Sequence, residues 1–315
     1  MIHVVTVGTS ILKHVIPRRH DPETVLLTAL CPLVVDGNVP QTERTDAVRE
    51  AWTAATPNGE LSVPDNLARA AAGLGLLGVD ASAELSSIRR QAATDGTDSA
   101  LLLASDTAEG LAAAYWVALW LAQNLDVPRI RFTHDAATDW QRPDGPTIYV
   151  AVLPGLNAAT AADFTRGMLA LGPIGMQLWD WADPDQEEER IVFHLSGGYK
   201  ASIPFLTAVA ETLRSFEASR RPTPIGGLSL FVPRRVHAVI LHESADSAHG
   251  LQALIDVPMR VPKLDRLRWF FDAIRRPESP GTVEEFHGWL ALPDAAGTPQ
   301  LTPLGEIVAT MVAAA

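Results

Sequence analysis

Ala100–Asn124 reads ALLLASDTAEGLAAAYWVALWLAQN, and three patterns follow one another within it. Ala100–Ala104 is a short, unbroken apolar run, the pattern of a strand buried on both faces. Ser105-Asp106-Thr107 is a group of capping residues. Glu109–Asn124 is long enough and apolar enough to be a buried helix, and Trp116 and Trp120 fall at the i, i+4 spacing of core packing. Strand, polar loop and helix in this order make one unit of a parallel sheet covered by helices.

The same order recurs on either side. Ile2–Val7 is an apolar, β-branched run ending in Gly8-Thr9-Ser10. Arg190–Leu195 is a strand that stops at Ser196-Gly197-Gly198-Tyr199-Lys200, and Ser202–Glu217 follows as a helix with Pro204 in its first turn. Arg129–Thr133, Thr147–Leu153 and Val236–Leu241 are further strands. Thr42–Ala55, Pro64–Leu77, Ser82–Ala93 and Thr160–Leu171 read as helices, with Ser82 as an N-cap and the charges of Glu84, Arg89 and Arg90 directed outward. Residues 13–40 have no steady period and are read as a loop or insertion. The acidic stretch 180–189 is read as a solvated loop; without regular ligand spacing it is not read as a metal site.

The predicted fold is therefore α/β, a Rossmann-like, mostly parallel sheet with helices on both faces, over residues 1–262. Residues 263–315 differ. Helices over Leu264–Arg275 and Thr282–Leu290, a turn at Pro293–Pro299 and a final helix over Thr302–Ala313 predict a small, mainly helical, winged-helix-like unit.

Composition narrows the function. With 315 residues, 47% of them apolar, the chain can bury a large core. A net charge of −12 argues against a general nucleic-acid coat, but a local group of donors can still bind a small anion. Cys31 is the single cysteine, so no internal disulfide and no cysteine zinc site can form. The N-terminus lacks the features of a secretory signal, and the longest apolar run, Leu111–Ala122, is too short to span a bilayer. A cytoplasmic protein with no membrane contact is expected.

In an open parallel sheet the three polar loops share the carboxyl edge, where ligands bind near a topological switch point. Gly8, Thr9, Ser10, Ser105, Asp106, Thr107, Ser196, Gly197, Gly198, Tyr199 and Lys200 are the candidate ligand-binding residues. Helix N-termini behind such loops suit phosphate. Neither the G-x-x-x-x-G-K-[ST] loop nor G-x-G-x-x-G is present, so ordinary ATP and NAD sites lose support and no cofactor or metal is expected. Only three of the 25 basic residues are lysines, and one, Lys200, directly follows Gly-Gly-Tyr. Two copies of such an edge about a two-fold axis would make a cradle for a symmetric ligand with several phosphates.

VTVGTSIL at the N-terminus, ALLLASDTAEG, IVFHLSGGYKASIPFLTAVAE and the later AVILHESADS and IDVPMRV resemble, in order, the CRISPR-associated Rossmann-fold (CARF) proteins, in the branch of stand-alone ring nucleases and ribonuclease sensor halves. The resemblance covers roughly residues 1–262. It implies a homodimer that binds cyclic oligoadenylate across the two-fold axis, with cyclic tetra-adenylate favoured over hexa-adenylate. It also implies metal-independent cleavage with Ser10 and Lys200 as catalytic residues, giving linear products that end in a 2′,3′-cyclic phosphate. The alternative is a non-catalytic sensor or a CARF–winged-helix transcriptional regulator. DNA binding by the C-terminal unit is not favoured, because its final helix carries no Lys or Arg.

Arg129 and His134 have the Arg-x4-His spacing of HEPN ribonucleases, but they fall on a predicted strand and are read as chance. His194 is read as a core histidine rather than a proton carrier.

Overall fold

The computed structural model describes residues 1–15, 40–92, 97–133, 144–156, 160–182, 189–220, 235–243, 252–276, 286 and 288–315. Cys31, His134 and most of the 13–40 and 180–189 segments lie outside them. Among the described residues eight strands form one sheet: β1 Ile2–Thr6, β2 Glu60–Leu61, β3 Ser99–Ser105, β4 Ile130–Thr133, β5 Ile148–Leu153, β6 Ile191–His194, β7 Val236–Glu243 and β8 Gln252–Asp256. Their spatial order is β2-β4-β5-β3-β1-β6-β7-β8. The six inner strands are parallel, and the edge strands β2 and β8 pair antiparallel. This is the α/β class expected from the strand–helix alternation.

The described helices are α1 Leu12–Val15, α2 Gln41–Ala55, α3 Val63–Leu74, α4 Ala83–Gln91, α5 Ala108–Asn124, α6 Ala161–Leu169, α7 Leu171–Trp181, α8 Ile203–Arg220, α9 Leu264–Arg275 and α10 Pro303–Ala314. Side chains alternate across the pleat. Val5, Leu102, Ala104, Val150 and Val152 face one side and pack with α2, α3, α4 and α5. Val4, Leu101, Leu103, Ala151, Leu153 and Phe193 face the other and pack with α7, α8, α9 and α10. Helix α5 is buried nearly all round because α2 and α3 cover the side turned away from the sheet.

Helix α7 departs from the sequence reading, which ended one helix at Leu171 and proposed no other. Gly172, Pro173 and Gly175 look like breakers. Pro173, however, sits in the first turn, where a missing N–H is tolerated. The glycines let α10 approach closely: a Cβ on Gly175 would lie 2.8 Å from Met311 Cε, and one on Gly172 would lie 3.2 Å from Thr310 Cβ.

At the C-terminus, α9 and α10 appear as expected, and Thr302 Oγ1 caps α10 by accepting from Gly305 N. The turn segment joins a two-stranded antiparallel hairpin, β9 Ala291–Pro293 and β10 Pro299–Leu301. The helix expected over Thr282–Leu290 falls largely outside the described residues, and 288–290 form a turn. Leu267, Phe270, Phe286, Ile307 and Met311 join the same apolar cluster as Phe193 and Phe216, so this segment covers one face of the sheet. Arg260 secures its entry: the side chain pairs with buried Glu211 and lies 3.9 Å over the Trp289 ring. No helix among the described residues is long and apolar enough to cross a membrane.

Candidate functional site

β1 lies between β3 and β6, so the three polar loops leave neighbouring strands at one edge of the sheet. Beyond that edge they diverge. After Gly8 the chain buries Ile11 and Leu12 on the α5 side, whereas after Tyr199 it enters α8 on the opposite side. Adjacent parallel strands whose following segments go to opposite faces create a crevice at the switch point. Ser10 follows β1 and Lys200 follows β6 at this switch point.

The expected site residues divide by what their side chains do. Thr9, Tyr199 and Lys200 are exposed and Ser10 is half-buried, all four within or just before short 3-10 turns. Tyr199 leans on Phe164 with ring centroids 5.7 Å apart and stays 40% exposed. The other polar side chains turn inward. Ser105 Oγ lies 2.9 Å from Thr107 Oγ1, which caps α5 by accepting from Gly110 N. Asp106 Oδ2 accepts from Gly155 N at 2.8 Å, tying the β3 loop to the β5 loop. Ser196 Oγ accepts from Leu241 N and braces β7.

The glycine pair has internal causes. Gly198 has φ +72°, and a Cβ there would collide with the Thr6 carbonyl. A Cβ on Gly197 would collide with the side chain of Glu84. Glu84 was expected to point outward from the first turn of α4. It is instead 1% exposed, and its Oε1 accepts from Gly8 N at 2.6 Å and from Gly198 N at 2.9 Å. Two amides read as phosphate donors are thus already engaged. In the sequence, an acid in a first helical turn looks like a dipole partner facing water. Only the fold shows that this face of α4 lies on the loops.

Residues 79–218 match the family model of a CRISPR-associated protein (Cas_APE2256). The match supports CRISPR association. It spans Glu84, the Ser105–Thr107 loop and the glycine loop with Lys200, and it begins after Gly8–Ser10. No curated protein matches the chain.

Beneath the site runs a buried polar row. Ser87 Oγ lies 2.6 Å from His194 Nδ1, His194 Nε2 lies 2.9 Å from His3 Nδ1, and His3 Nε2 lies 3.2 Å from Asp98 Oδ2. The Met1 amine pairs with the other Asp98 oxygen at 2.9 Å. With both rings neutral, every bond has a donor and an acceptor: Ser87 donates to His194, His194 to His3 and His3 to Asp98. The row has the composition of a charge relay, but Ser87, His194 and His3 are all 0% exposed and no substrate reaches them. His194 is thus a core histidine, as expected.

Burial, and after it the neighbouring His3 ring, holds His194 well below the ordinary histidine range. The neutral ring is the folded form, so the unfolded chain binds the extra proton first as pH falls. This part of the stability is complete above the ordinary histidine pKa near 6.5 and is lost below it, at no more than about 1.4 kcal/mol per pH unit for one proton. Urea unfolding at pH 7.5, 6.5 and 5.5 is expected to show that decline. His194→Gln is expected to flatten it while lowering stability at pH 7.5; an unchanged slope in the variant would assign the decline to other groups.

A cavity of about 520 Å³ lined by Trp179, Phe216, Arg220, Lys263 and Arg268 lies at the far end of α8 from Lys200 and is no part of this edge. Arg129, expected to open a strand, lies immediately before β4, which starts at Ile130.

Proposed function

We propose that this protein binds cyclic oligoadenylate at the carboxyl edge of the sheet, between two copies of the chain, and cleaves it as a ring nuclease. The observation that carries the reading is the switch point between β1 and β6, where the loops with Ser10 and Lys200 leave neighbouring strands for opposite faces of the sheet. The family match over residues 79–218 agrees with a role in CRISPR defence. Beside the glycine loop, Ile240 and its cross-strand partner Ile255 are 39% and 49% exposed, an apolar pair that a second copy would cover.

The chemistry needs little from the protein beyond geometry. Each ribose 2′-OH adjoins a 3′–5′ phosphodiester, so the nucleophile is part of the substrate. Rotating the 2′-oxygen into line with the leaving 5′-oxygen forms the 2′-O–P bond as the P–O5′ bond breaks. The products are a 2′,3′-cyclic phosphate and a 5′-hydroxyl, with the 2′-OH proton passing overall to the departing oxygen. Lys200 stabilises the charge that builds on the phosphate oxygens, and Ser10 holds the 2′-OH. A compact, mobile ammonium can follow that charge, where arginine's rigid fork favours static recognition.

A sensor that binds the ring without cutting it is the second reading. It is favoured by Glu84, which withholds the Gly8 and Gly198 amides from a phosphate. Incubation with cyclic tetra- and hexa-adenylate in EDTA, followed by product separation, decides between them. The expected result is linear products with 2′,3′-cyclic phosphate ends, from the tetramer first. Bound but intact ring selects the sensor, and no binding of either ring removes both readings.

A further inference from the structure

Glu84 is a buried carboxylate with an unusual set of partners. Its Oε1 receives two backbone N–H groups, one from the loop after β1 and one from the loop after β6. Its Oε2 is buried and has no hydrogen-bond partner among the described residues. Leaving a carboxylate oxygen dry and unpaired is unfavourable, so the fold retains a strained choice at this point. The local sequence does not require it. Ser82 already caps α4 by accepting from Leu85 N, and its hydroxyl serves the first turn without Glu84.

What Glu84 does is join two segments that are otherwise remote in the chain. Gly8 and Gly198 lie in loops whose strands are neighbours, and a Cβ on Gly8 would lie 3.2 Å from the Gly198 Cα. Two N–H groups that converge on a single oxygen hold both loop backbones at one spacing. Thr6 Oγ1, donating to Gly197 O at 3.0 Å, adds a second tie between the same strands. Ser10 is two residues beyond one of the Glu84 amides and Lys200 two residues beyond the other. Ser10 is half-buried and Lys200 exposed, and their separation follows the spacing of the two loop backbones.

We infer that Glu84 is the positioning residue of this centre: one carboxylate oxygen sets the spacing between the loop that carries Ser10 and the loop that carries Lys200. The inference rests on the reading of Ser10 and Lys200 as the cleaving pair. Glu84 touches neither phosphate nor ribose, and it acts through the two amides. A carboxylate suits the task because charge-assisted bonds to N–H groups are short and strong. Glutamine keeps an acceptor at Oε1 and should keep the spacing. Aspartate is one carbon too short to serve both amides, and alanine serves neither.

The test compares Glu84→Gln, Glu84→Asp and Glu84→Ala with the parental chain, by hydrogen exchange over the two loops and by single-turnover cleavage of cyclic tetra-adenylate at saturating and limiting protein. In the alanine and aspartate variants, exchange is expected to rise together at Gly8 and Gly198 while the β3 and β5 strands stay protected. The cleavage rate at saturation is expected to fall about 100-fold, with ring affinity changed much less, because misplacement by about 1 Å is enough for such a loss. Glutamine is expected to restore both readouts to within about 10-fold of the parent. Parental exchange at either loop in Glu84→Ala, a loss in affinity alone, or failure of glutamine to rescue would overturn the positioning role. If alanine prevents folding, the aspartate and glutamine pair carries the same comparison. If the parental chain binds no ring or leaves it intact, it is the cleavage reading that fails. The exchange arm then still decides whether Glu84 clamps the two loops.

Discussion

Lys200→Ala is expected to lower single-turnover cleavage of cyclic tetra-adenylate about 10²–10³-fold, the loss seen when one preorganised charge stabiliser is removed from a centre of this kind. The lysine is exposed at the start of the turn into α8, so its truncation leaves no cavity and stability should change by less than about 0.5 kcal/mol. Lys200→Arg keeps the charge but replaces a mobile ammonium by a planar fork, and is expected to bind the ring while cutting it well below the parental rate. Ser10→Ala removes one hydrogen bond at the 2′-OH and should cost less than Lys200→Ala. Rates measured with all ring bound separate chemistry from affinity. Parental cleavage by either Lys200 variant with normal binding would remove Lys200 from the chemistry.

The largest effect on stability is expected at Gly198. Its φ of +72° is strained for an L-residue, and a Cβ there meets the Thr6 carbonyl, which belongs to the central strand β1 and cannot easily move. Gly198→Ala combines the two penalties and should destabilise the fold by about 2–4 kcal/mol. Asparagine tolerates positive φ, so Gly198→Asn distinguishes them: strain alone would be partly relieved, whereas a Cβ collision would not. The collision is expected to dominate, and both variants should unfold at clearly lower urea. A loss below about 0.5 kcal/mol in Gly198→Ala would mean that the β1 and β6 loops can separate at little cost, which would also weaken the case for Glu84 as their clamp.

Much of the architecture was legible because its signals are local. Apolar runs such as Ala100–Ala104 and Ile2–Val7 name buried strands, and Ser82, Thr107, Thr160 and Thr302 cap helices where capping residues were expected or adjoin the expected starts. Elements without such signals were missed. Helix α7 contains two glycines and a proline whose tolerance depends on α10 lying against them, and α10 is more than 120 residues away. The edge strand β2 has two residues, too few to show a period.

At the candidate site, the sequence named the three loops but could not sort their side chains. Ser196 and Ser105 have the same chemistry as Ser10, yet their hydroxyls brace β7 and the α5 cap while Ser10 sits half-buried in the turn after β1. Nothing local distinguishes them, because the partner is in each case set by register or by a turn.

The chain's local order of apolar runs, capping residues and glycines was sufficient to determine the α/β class and the loops that gather at one sheet edge, since strand burial, helix capping and turn geometry are properties of neighbouring residues. Which of those loops face each other, that they diverge at the β1/β6 switch point, and that Glu84 turns inward to hold two of them were decided only in three dimensions. Strand order and helix docking depend on contacts between residues as far apart as Gly8 and Gly198, and a side chain's partner across such a distance leaves no trace in its own neighbourhood.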